Sequence, residues 1–355
     1  METTRLKQDI ITETVRRWIL EGKYVPGEKL PTDTELANQF LVNRCTVAAG
    51  LNRLVAENLL DRAPKRGSVV KRQALSLQTN AVALVTTKSG EVYSDLAKYI
   101  NEHLQENELY PVLLNSQFIR DENQIISFLN QMNKGSHPFG YLLLADRFIP
   151  FEELKKPPYC FSNIIFMLRY QNYEELPHAK YVLLDYEDMG RQIVEYFAER
   201  NVKRILYPAM YEKHFCGFWS SMQCAIMQGI KKHASAEGIE FDEGFFWRLH
   251  SGAPLDIMLP AALDQSDIPT GIFSWTDTYL QGKIFPVVKQ CGRSLDEFYW
   301  LGNFNTKDAA KCRFDSFDHR IAEIAKIAID MLTGKLDERK VLLPPKLVRN
   351  SEKQI

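Results

Sequence analysis

The chain has 355 residues, too many for one ordinary globular core, so we expect two or three folding units. Hydrophobic residues make up 45% and charged residues 25%, a mixture typical of folded proteins that excludes extended disorder. The net charge is −1, but residues 1–73 hold 13 Lys and Arg against 9 Asp and Glu, a net +4, whereas residues 74–355 hold 31 against 36, a net −5. A basic module therefore precedes an acidic one, as expected where only the first module binds phosphates.

The sequence up to Lys7 is polar, and no later stretch approaches the roughly 20 uninterrupted apolar residues that span a bilayer. We therefore expect a cytoplasmic protein without membrane contact. The cysteines form no Cys-x-x-Cys pair, so we expect buried free thiols and neither a disulfide framework nor a metal site. Glycine loops for phosphate, HExxH and GxSxG are absent, and the nearness of His214 and Cys216 in sequence is not catalytic geometry. The sequence thus predicts a protein that is not an enzyme and has no cofactor.

The N-terminal part carries two early helix signals. From Leu6 to Gly22 apolar residues recur at helical spacing on one face, which predicts an amphipathic helix. Thr32 to Glu35 has the pattern of a capping box, in which the Thr and Glu side chains bond each other's backbone amides. A second helix should therefore run from Asp33 to about Phe40.

A third helix should follow Asn43, a favoured N-cap residue. Its inward face is expected to contain Val47, Leu51, Leu54 and Val55, and its outward face Arg44, Cys45, Ala48 and Asn52. Two helices joined by a tight turn form a helix-turn-helix, whose second helix presents its N-terminal residues to base edges in the major groove. Residues 59–71 then read as strand, basic turn and strand, which predicts a wing hairpin.

The run from Ile19 to Val70 resembles the DNA-binding domain of the GntR family over its whole length. The landmarks occur in order: Gly22-Lys23-Tyr24-x-Pro26-Gly27, Leu30-Pro31, Glu35-Leu36-Ala37, Asn43-Arg44-x-Thr46-Val47 and Gly67. The resemblance implies that Asn43, Arg44 and Thr46 contact DNA and that Gly67 forms the wing tip in the minor groove. The candidate DNA-binding residues are Arg5, Thr32, Asn43, Arg44, Cys45, Thr46, Ala48, Lys65, Arg66 and Gly67.

Two positions depart from the family pattern, because Thr34 and Ala48 stand where the family usually has arginines that contact DNA. A bidentate arginine is worth roughly 1 to 3 kcal/mol of base discrimination, so these changes should shift operator sequence or weaken affinity. We expect Arg5, Lys65 and Arg66 to supply part of the missing charge. Taken alone, Arg44 would be read as a solvated surface charge, and only its place in the motif favours DNA contact.

After a polar linker at residues 73–80, strand and helix patterns alternate through residues 81–355. This alternation predicts an α/β fold with two doubly wound, parallel-sheet lobes, following a winged helix-turn-helix domain at residues 1–72. The first lobe should cover about 81–178 with part of 304–335, and the second about 179–303 with the C-terminal tail. The predicted strands are at residues 81–86, 110–116, 140–146, 181–185, 204–209, 244–250, 271–275 and 298–302.

This second part resembles the effector domain of the lactose-repressor family and the periplasmic sugar-binding proteins. The matching features are Asp185 with Gly190, the spacing from Gly229 to Gly238, the segment 272–277, Leu301-Gly302 and the tail 342–351. A GntR-type head on such a sensor is the arrangement of the arabinose-repressor subgroup. The resemblance implies a homodimer on a palindromic operator, whose affinity for DNA depends on a sugar-like effector bound between the lobes.

The candidate effector-binding residues are Asp146, Arg169, Tyr211, Trp219, Trp247, Trp275, Asp277 and Asn305. For each aromatic residue a core or dimer-interface role is an equal alternative, Asp277 has the alternative of capping the next helix, and Arg169 that of a surface ion pair. The usual sugar clamp is depleted, because Ile226, Thr276 and Phe304 stand where sugar-responsive members have an arginine, an asparagine and an acidic residue. An alternative function is therefore a regulator whose sensor has lost its ligand and serves dimerisation or protein contact, and catalysis is a remote one.

Overall fold

The computed structural model describes residues 7–20, 23–24, 27–57, 59–63, 67–71, 78–86, 91–115, 119–133, 137–144, 149–156, 159, 162–168, 176, 178–211, 218–264 and 268–350. Within these ranges the chain forms a small N-terminal domain, called the head, followed by two α/β lobes. None of the described helices is long and apolar enough to cross a membrane.

The head contains three helices and a hairpin: α1 (Lys7–Leu20), α2 (Asp33–Phe40), α3 (Arg44–Ala56), β1 (Leu60–Ala63) and β2 (Gly67–Val70). The two strands pair antiparallel, and Lys29 adds a bridge to Val69. Apolar residues from all three helices and both strands form one core, including Val15, Leu36 and Leu51. At Gly50 a Cβ atom would lie 3.0 Å from the Gln8 carbonyl oxygen, so α1 and α3 pack closely at a glycine. The predicted three helices and wing are thus present.

The elements that follow the head up to the first change of lobe are β3 (Gln78–Thr86), α4 (Glu91–Gln105), β4 (Tyr110–Asn115), α5 (Glu122–Met132), β5 (His137–Leu144), α6 (Phe151–Leu154), β6 (Ile164–Met167) and β7 (Ala179–Leu184). The remaining elements are α7 (Tyr186–Ala198), β8 (Arg204–Leu206), α8 (Phe218–Ala234), β9 (Glu240–Phe241), α9 (Glu243–His250), α10 (Leu255–Leu263), β10 (Thr270–Phe273), α11 (Asp277–Tyr279), a π-helical turn (Leu280–Ile284), α12 (Phe285–Gln290), β11 (Tyr299–Asn303), α13 (Lys307–Cys312), β12 (Asp315–Asp318), α14 (Ile321–Leu332), β13 (Lys340–Leu343) and β14 (Lys346–Val348), with short 3-10 turns at Ser235–Glu237 and Leu295–Glu297.

Each lobe is built on one six-stranded sheet. The first sheet has the order β13-β7-β6-β5-β3-β4 and is parallel throughout. The second has the order β14-β12-β11-β10-β8-β9, in which only the edge strand β14 is antiparallel to its neighbour. Strands such as β6 and β10 are buried along their whole length, as expected where helices cover both faces of a parallel sheet.

The chain passes between the lobes three times among the described residues. It leaves the first sheet after β7, returns after β12 so that α14 packs on α4, β6 and β7, and crosses again between β13 and β14. The three crossings form the hinge of a two-lobed clamshell. A rotation of one lobe relative to the other is absorbed by the few backbone torsions within these segments.

The glycines that carried the family resemblance in the second lobe have a packing role. A Cβ atom on Gly190 of α7 would lie 2.5 Å from the Ile226 carbonyl oxygen and 2.6 Å from the Cα of Gly229 in α8. The two helices therefore touch backbone to backbone, and a side chain at either glycine would force them apart. Ile226 itself is fully buried, so this position cannot offer a polar group to an effector.

The structure corrects four predictions. Residues 244–250 belong to the helix α9, because Asp242 caps it through the Phe245 amide and the buried positions 245, 246 and 249 follow helical spacing; the strand here is the short β9. The lobe boundary lies after residue 184, since β7 belongs to the first sheet. Strands β6, β12, β13 and β14 were not among those predicted; β12 is obscured by its buried polar residues Asp315 and Ser316. Cys45 and Cys291 are exposed, not buried.

Candidate DNA and effector sites

The start of α3 is fixed by its cap. The Asn43 Oδ1 atom accepts hydrogen bonds from the Thr46 amide at 2.7 Å and from the Thr46 hydroxyl at 2.8 Å. Because the Asn43 and Thr46 side chains are hydrogen-bonded to each other, they fix the orientation of the first turn of the helix and of the residues between them. Arg44 and Cys45 lie in this first turn and are exposed.

The two faces of α3 differ in the way that the sequence predicted. Val47, Leu51 and Leu54 are fully buried against the head core, whereas Arg44 and Asn52 are exposed on the other side. The helix N-terminus carries partial positive charge, so Arg44 extends a surface that already favours anions. The arrangement can place a cation and helix amides against a phosphate or a base edge.

The other predicted DNA-binding residues are less uniform in their surroundings. Thr32 forms the predicted capping box, because its hydroxyl accepts from the Glu35 amide at 3.3 Å and its own amide donates to Glu35 Oε2 at 2.7 Å. Gly67 begins β2, is exposed and has a φ of +81°, a backbone conformation that favours glycine. Ala48 is partly buried. Arg5, Lys65 and Arg66 lie outside the described residues.

A cluster around Arg62 of β1 was not foreseen as functional. Its guanidinium donates to the Asp33 carboxylate at 2.6 Å, to the Asn52 side-chain oxygen at 3.1 Å and to the Ala48 carbonyl oxygen at 3.1 Å. One side chain thereby joins β1 to the first turn of α2 and to the middle of α3.

In the second lobe, aromatic rings gather beyond the carboxyl ends of β10, β11 and β12. The Phe304 ring packs 4.2 Å from the His319 ring and edge-on to Trp275 at 5.6 Å, measured between centroids. Tyr186, just after the first crossing, contacts both Trp275 and His319. In doubly wound sheets this carboxyl edge is where ligands bind, so the cluster forms an apolar wall at the expected place.

A cavity of about 780 Å³, called the hinge pocket, opens next to this wall. Its lining consists of Asp95, Tyr99, Gln192, Phe304, Asn305, Asp318, His319, Arg320, Ile321, Ala322, Glu323, Pro345, Lys346 and Leu347. The lining thus combines α4 of the first lobe, residues of the second lobe, and the second and third crossings. Its volume lies within the range of small-molecule sites.

Three residues of the pocket have a left-handed backbone although none is glycine. Phe304, Asn305 and Arg320 have φ values of +85°, +44° and +54°. Such conformations cost free energy and cluster at ligand sites and switch regions, where the surrounding structure holds them in place. Two of them lie in the loop after β11, and the third lies in the second crossing.

The His319 side chain is buried and neutral. Burial lowers its pKa to about 3. Asn303 donates its side-chain amide to the Trp275 carbonyl at 3.0 Å, so its oxygen, 2.8 Å from His319 Nε2, acts as the acceptor. This network assigns the proton to Nε2 and leaves Nδ1 as a hydrogen-bond acceptor.

Asp277, predicted as an effector ligand, is fully buried and occupied by the protein. Its carboxylate accepts from the Asn303 amide at 2.8 Å, the Thr306 amide at 2.7 Å and the Ser316 hydroxyl at 2.8 Å. Burial raises its pKa to about 6, and these donors oppose the rise. The α11 cap is Thr276, which accepts from the Tyr279 amide. Asp277 therefore joins the loop after β11 to β12.

Among the predicted effector residues whose side chains the structure describes, the geometry does not bring all of them together. Of these described residues, only Asn305 lines the hinge pocket, and Trp275 is fully buried behind it. Tyr211 is half exposed and follows β8; Trp247 is 38% exposed on α9 and donates to Glu243. The side chain of Trp219, in α8, and both Asp146 and Arg169 lie outside the part of the chain that the structure describes.

Sequence reasoning missed Tyr99, His319 and Arg320 as pocket residues. Tyr99 lies on α4 and reads as one aromatic of an amphipathic helix. His319 and Arg320 follow β12, and recognising that strand would have placed both at the carboxyl edge of a parallel sheet. The available signal was the order Phe314-Asp315-Ser316-Phe317 before three polar residues, Asp318, His319 and Arg320.

Comparisons with known proteins agree with this architecture. Residues 7–70 match the family described as bacterial regulatory proteins, gntR family. The arabinose metabolism transcriptional repressor of Geobacillus stearothermophilus is 23% identical over 99% of this chain and 97% of its own length. The cellobiose complex of the transcriptional regulator CelR covers 91% of this chain and 100% of its own at a TM-score of 0.60 and 18% identity.

A further solved structure extends the likeness of the two lobes. A putative ribose operon repressor from Burkholderia thailandensis covers 77% of this chain and 100% of its own at a TM-score of 0.58 and 15% identity. Residues 7–70 thus match a GntR-family domain, the two lobes have the fold of LacI-family regulators, and the relatives to which the chain is similar are named as repressors of transcription.

Proposed function

We propose that this protein is a repressor that binds operator DNA through α3 and is released when a small molecule binds between its lobes. The observation that carries the proposal is the capped, exposed N-terminal turn of α3 on a rigid three-helix head, with Arg44 in that turn. In helix-turn-helix proteins this turn reads base edges in the major groove. Lys65, Arg66 and Gly67 of the wing would contact the adjacent phosphates and minor groove.

We infer that the effector is a sugar or sugar-like metabolite. The hinge pocket offers an aromatic wall, with Tyr99 and Phe304, and polar groups that include Gln192, Asn305 and His319. Apolar walls with a few fixed polar groups are typical of sites for small polar ligands. A relative is named for arabinose metabolism and a structural neighbour holds cellobiose, which supports this ligand class. Tyr211 and Trp247, both exposed beyond β8 and β9, are candidate second contacts.

A second candidate function is a sensor that has lost its ligand. It is favoured by Phe304, whose ring packs on His319 where sugar-responsive members have an acidic side chain, and by the buried Ile226. An apolar residue at each place removes a group that could bond a hydroxyl. A thermal-shift screen of sugars and related compounds separates the two candidates, because only a functional sensor is stabilised by a ligand.

We propose that the repressor acts as a homodimer on a palindromic operator in the cytoplasm, where bacterial DNA lies. Two apolar features support this. The edge strand β4 exposes Tyr110 (62%), Val112 and Leu113. The helix α10, apolar apart from one aspartate, exposes Ile257 (65%). In the first sheet β4 lies at the edge opposite β13, and in the second sheet β9 lies at the edge opposite β14. The helix α10 packs on α9, which directly follows β9.

A second copy of the chain fits these two features, because β4 and α10 carry almost no charge and can face their own copies without repulsion. A two-fold axis places identical patches against each other and matches two heads to two half-sites. Unpaired edge strands are also ready to pair or pack with another chain.

The DNA-binding proposal is tested with Arg44→Ala and a matched control. Operators are selected from a random duplex library with the full-length protein, and affinity is measured by fluorescence anisotropy. We expect Arg44→Ala to weaken binding about tenfold or more, since it removes a cation at the reading turn. Arg53→Ala makes the same charge change in the last turn of α3, where Arg53 pairs with Asp9, and should change affinity little. Equal losses in both variants, or failure to select any duplex, would contradict the proposal.

A further inference from the structure

The Arg62 cluster lies on the side of the head that we propose for DNA. Ala48 and Asn52, two of its three partners, belong to the outward face of α3. The third partner, Asp33, lies in the first turn of α2. The Arg62 and Asp33 side chains are 20% and 23% exposed, so water screens their ion pair less than it screens an open surface pair.

The three bonds restrain the position of the recognition helix. The planar guanidinium of Arg62 donates hydrogen bonds to groups on two helices. Its N–H donors form a rigid fork that points in fixed directions, so it restrains these groups better than a lysine would. The wing strand β1 is thereby tied to the middle of α3 and to the start of α2. Movement of α3 relative to the wing would break at least one of these bonds.

The cluster also controls charge at the DNA-facing surface. Asp33 carries a negative charge beside a surface that must approach phosphates. Without Arg62 this carboxylate would be uncompensated, and it would repel the DNA backbone. Thr34 and Ala48 stand where the family typically has arginines. Loss of the Arg62 cation therefore has an increased effect on operator affinity.

We propose that Arg62 is a positioning residue for operator binding: it holds α3 and the wing in the orientation that reads DNA, and it neutralises Asp33 at the interface. The inference rests on the proposed function, since it assumes that the outward face of α3 meets DNA. Arg62 acts through its protein partners and is not assigned a direct bond to the operator.

The test compares Arg62→Gln, Arg62→Lys, Asp33→Asn and the double variant Arg62→Gln/Asp33→Asn in the full-length protein. Operator affinity is measured well below the melting temperature of each variant, with melting followed by circular dichroism. We expect Arg62→Gln to lower affinity about tenfold and Arg62→Lys to lower it less, because lysine keeps the charge but not the fork. Asp33→Asn alone should change affinity less than about threefold, and the double variant should recover at least threefold over Arg62→Gln.

Arg16→Gln is the matched control. Arg16 of α1 also links two elements of the head, because its guanidinium binds the carboxylate of Glu57 at the end of α3. The nitrogen-to-oxygen distances are 2.6 and 2.9 Å. This variant loses the same charge and a comparable ion pair away from the first turn of α3. A general loss of head stability would therefore lower operator affinity equally in Arg16→Gln and Arg62→Gln.

Three outcomes would overturn the inference: equal affinities of Arg62→Gln and Arg16→Gln, no recovery in the double variant, or a reduced salt dependence of binding in Arg62→Gln. The last would mark Arg62 as a direct phosphate contact, since each lost contact lowers the slope of log K against log salt by about 0.9. If the wild-type protein selects no duplex, the proposed function itself fails. If it does and Arg62→Gln binds normally, only the present inference fails.

Discussion

At the scale of single residues, burial decides which predicted ligands are free to bind anything. Asp277 is the clearest case, because the sequence places a carboxylate at the end of a strand and the tertiary structure supplies three donors to it. His319 is the reverse case. The sequence analysis did not single it out, yet it lines the hinge pocket and retains an acceptor nitrogen. The type of a polar residue therefore indicates that its side chain can form hydrogen bonds with a ligand. Only its neighbours in the structure show whether those bonds are already made within the protein.

The low pKa of His319 predicts a pH dependence of stability. In the unfolded chain histidine takes up a proton near pH 6.5, whereas the folded state resists it down to about pH 3. Unfolded molecules therefore bind more protons below pH 6.5, and the free energy of unfolding falls as the pH drops through this window. By pH 5 the loss from this residue should be about 2 kcal/mol.

The measurement is chemical denaturation of the wild type and His319→Gln at pH 7.5 and pH 5.0. Glutamine can still donate to Asn303 but does not titrate. Between pH 7.5 and pH 5.0 the free energy of unfolding of the variant should therefore fall by about 2 kcal/mol less than that of the wild type. Parallel losses in the two proteins would show that His319 does not stay neutral in the folded state.

At the scale of elements, caps proved to be reliable signals and periodicity in short segments did not. Thr32 and Asn43 cap α2 and α3 as the sequence predicted. The segment 244–250 was predicted as a strand, because its run of Phe, Phe and Trp favours β-structure locally. Asp242 in front of it caps α9, and this local signal was the one to follow.

The exposed face of α10 leads to a prediction about assembly. Ile257→Lys and Val112→Lys should each convert a dimer to a monomer, because a lysine in a two-fold interface meets its own copy across the axis. Light scattering after size exclusion measures the mass. Leu342→Lys is the control, since Leu342 is also exposed, at 46%, but lies on β13 at the opposite edge of the first sheet. A dimer that survives both interface substitutions, or that Leu342→Lys also disrupts, would refute the assignment of this surface.

At the scale of the whole molecule, the hinge pocket connects a ligand to both lobes. It is lined by α4 of the first lobe, by Phe304 and Asn305 of the second, and by the second and third crossings. A ligand that binds the closed arrangement more tightly shifts the population toward it by its difference in affinity for the two states. A coupling of roughly 1 to 3 kcal/mol would change operator occupancy five- to 150-fold.

The corresponding prediction concerns ligand binding. In a thermal-shift screen of pentoses, hexoses, disaccharides, sugar acids and nucleosides, at least one compound should raise the melting temperature and lower operator affinity. At a concentration 100 times the dissociation constant the stabilisation should be about 2.7 kcal/mol.

Filling the pocket provides the control for this screen. Ala322 is exposed and lines the hinge pocket, so Ala322→Phe should abolish the shift, whereas Ala310→Phe, an exposed alanine on α13 outside the pocket lining, should leave it intact. A complete absence of shifts in the wild type would favour the sensor that has lost its ligand. A shift that persists in Ala322→Phe would place the effector elsewhere.

The sequence by itself determined the winged head, the two α/β lobes and the exposed first turn of α3, because these depend on local signals: caps, glycines, and apolar residues at helical or strand spacing. It did not determine the lobe boundary, the strand β12 or the hinge pocket. Those depend on which strands become neighbours and on which side chains line the same cavity although they are far apart in sequence, as Asp95 and Lys346 do. Such arrangements are set by the closing of two sheets around three crossings, and no local pattern in the chain encodes them.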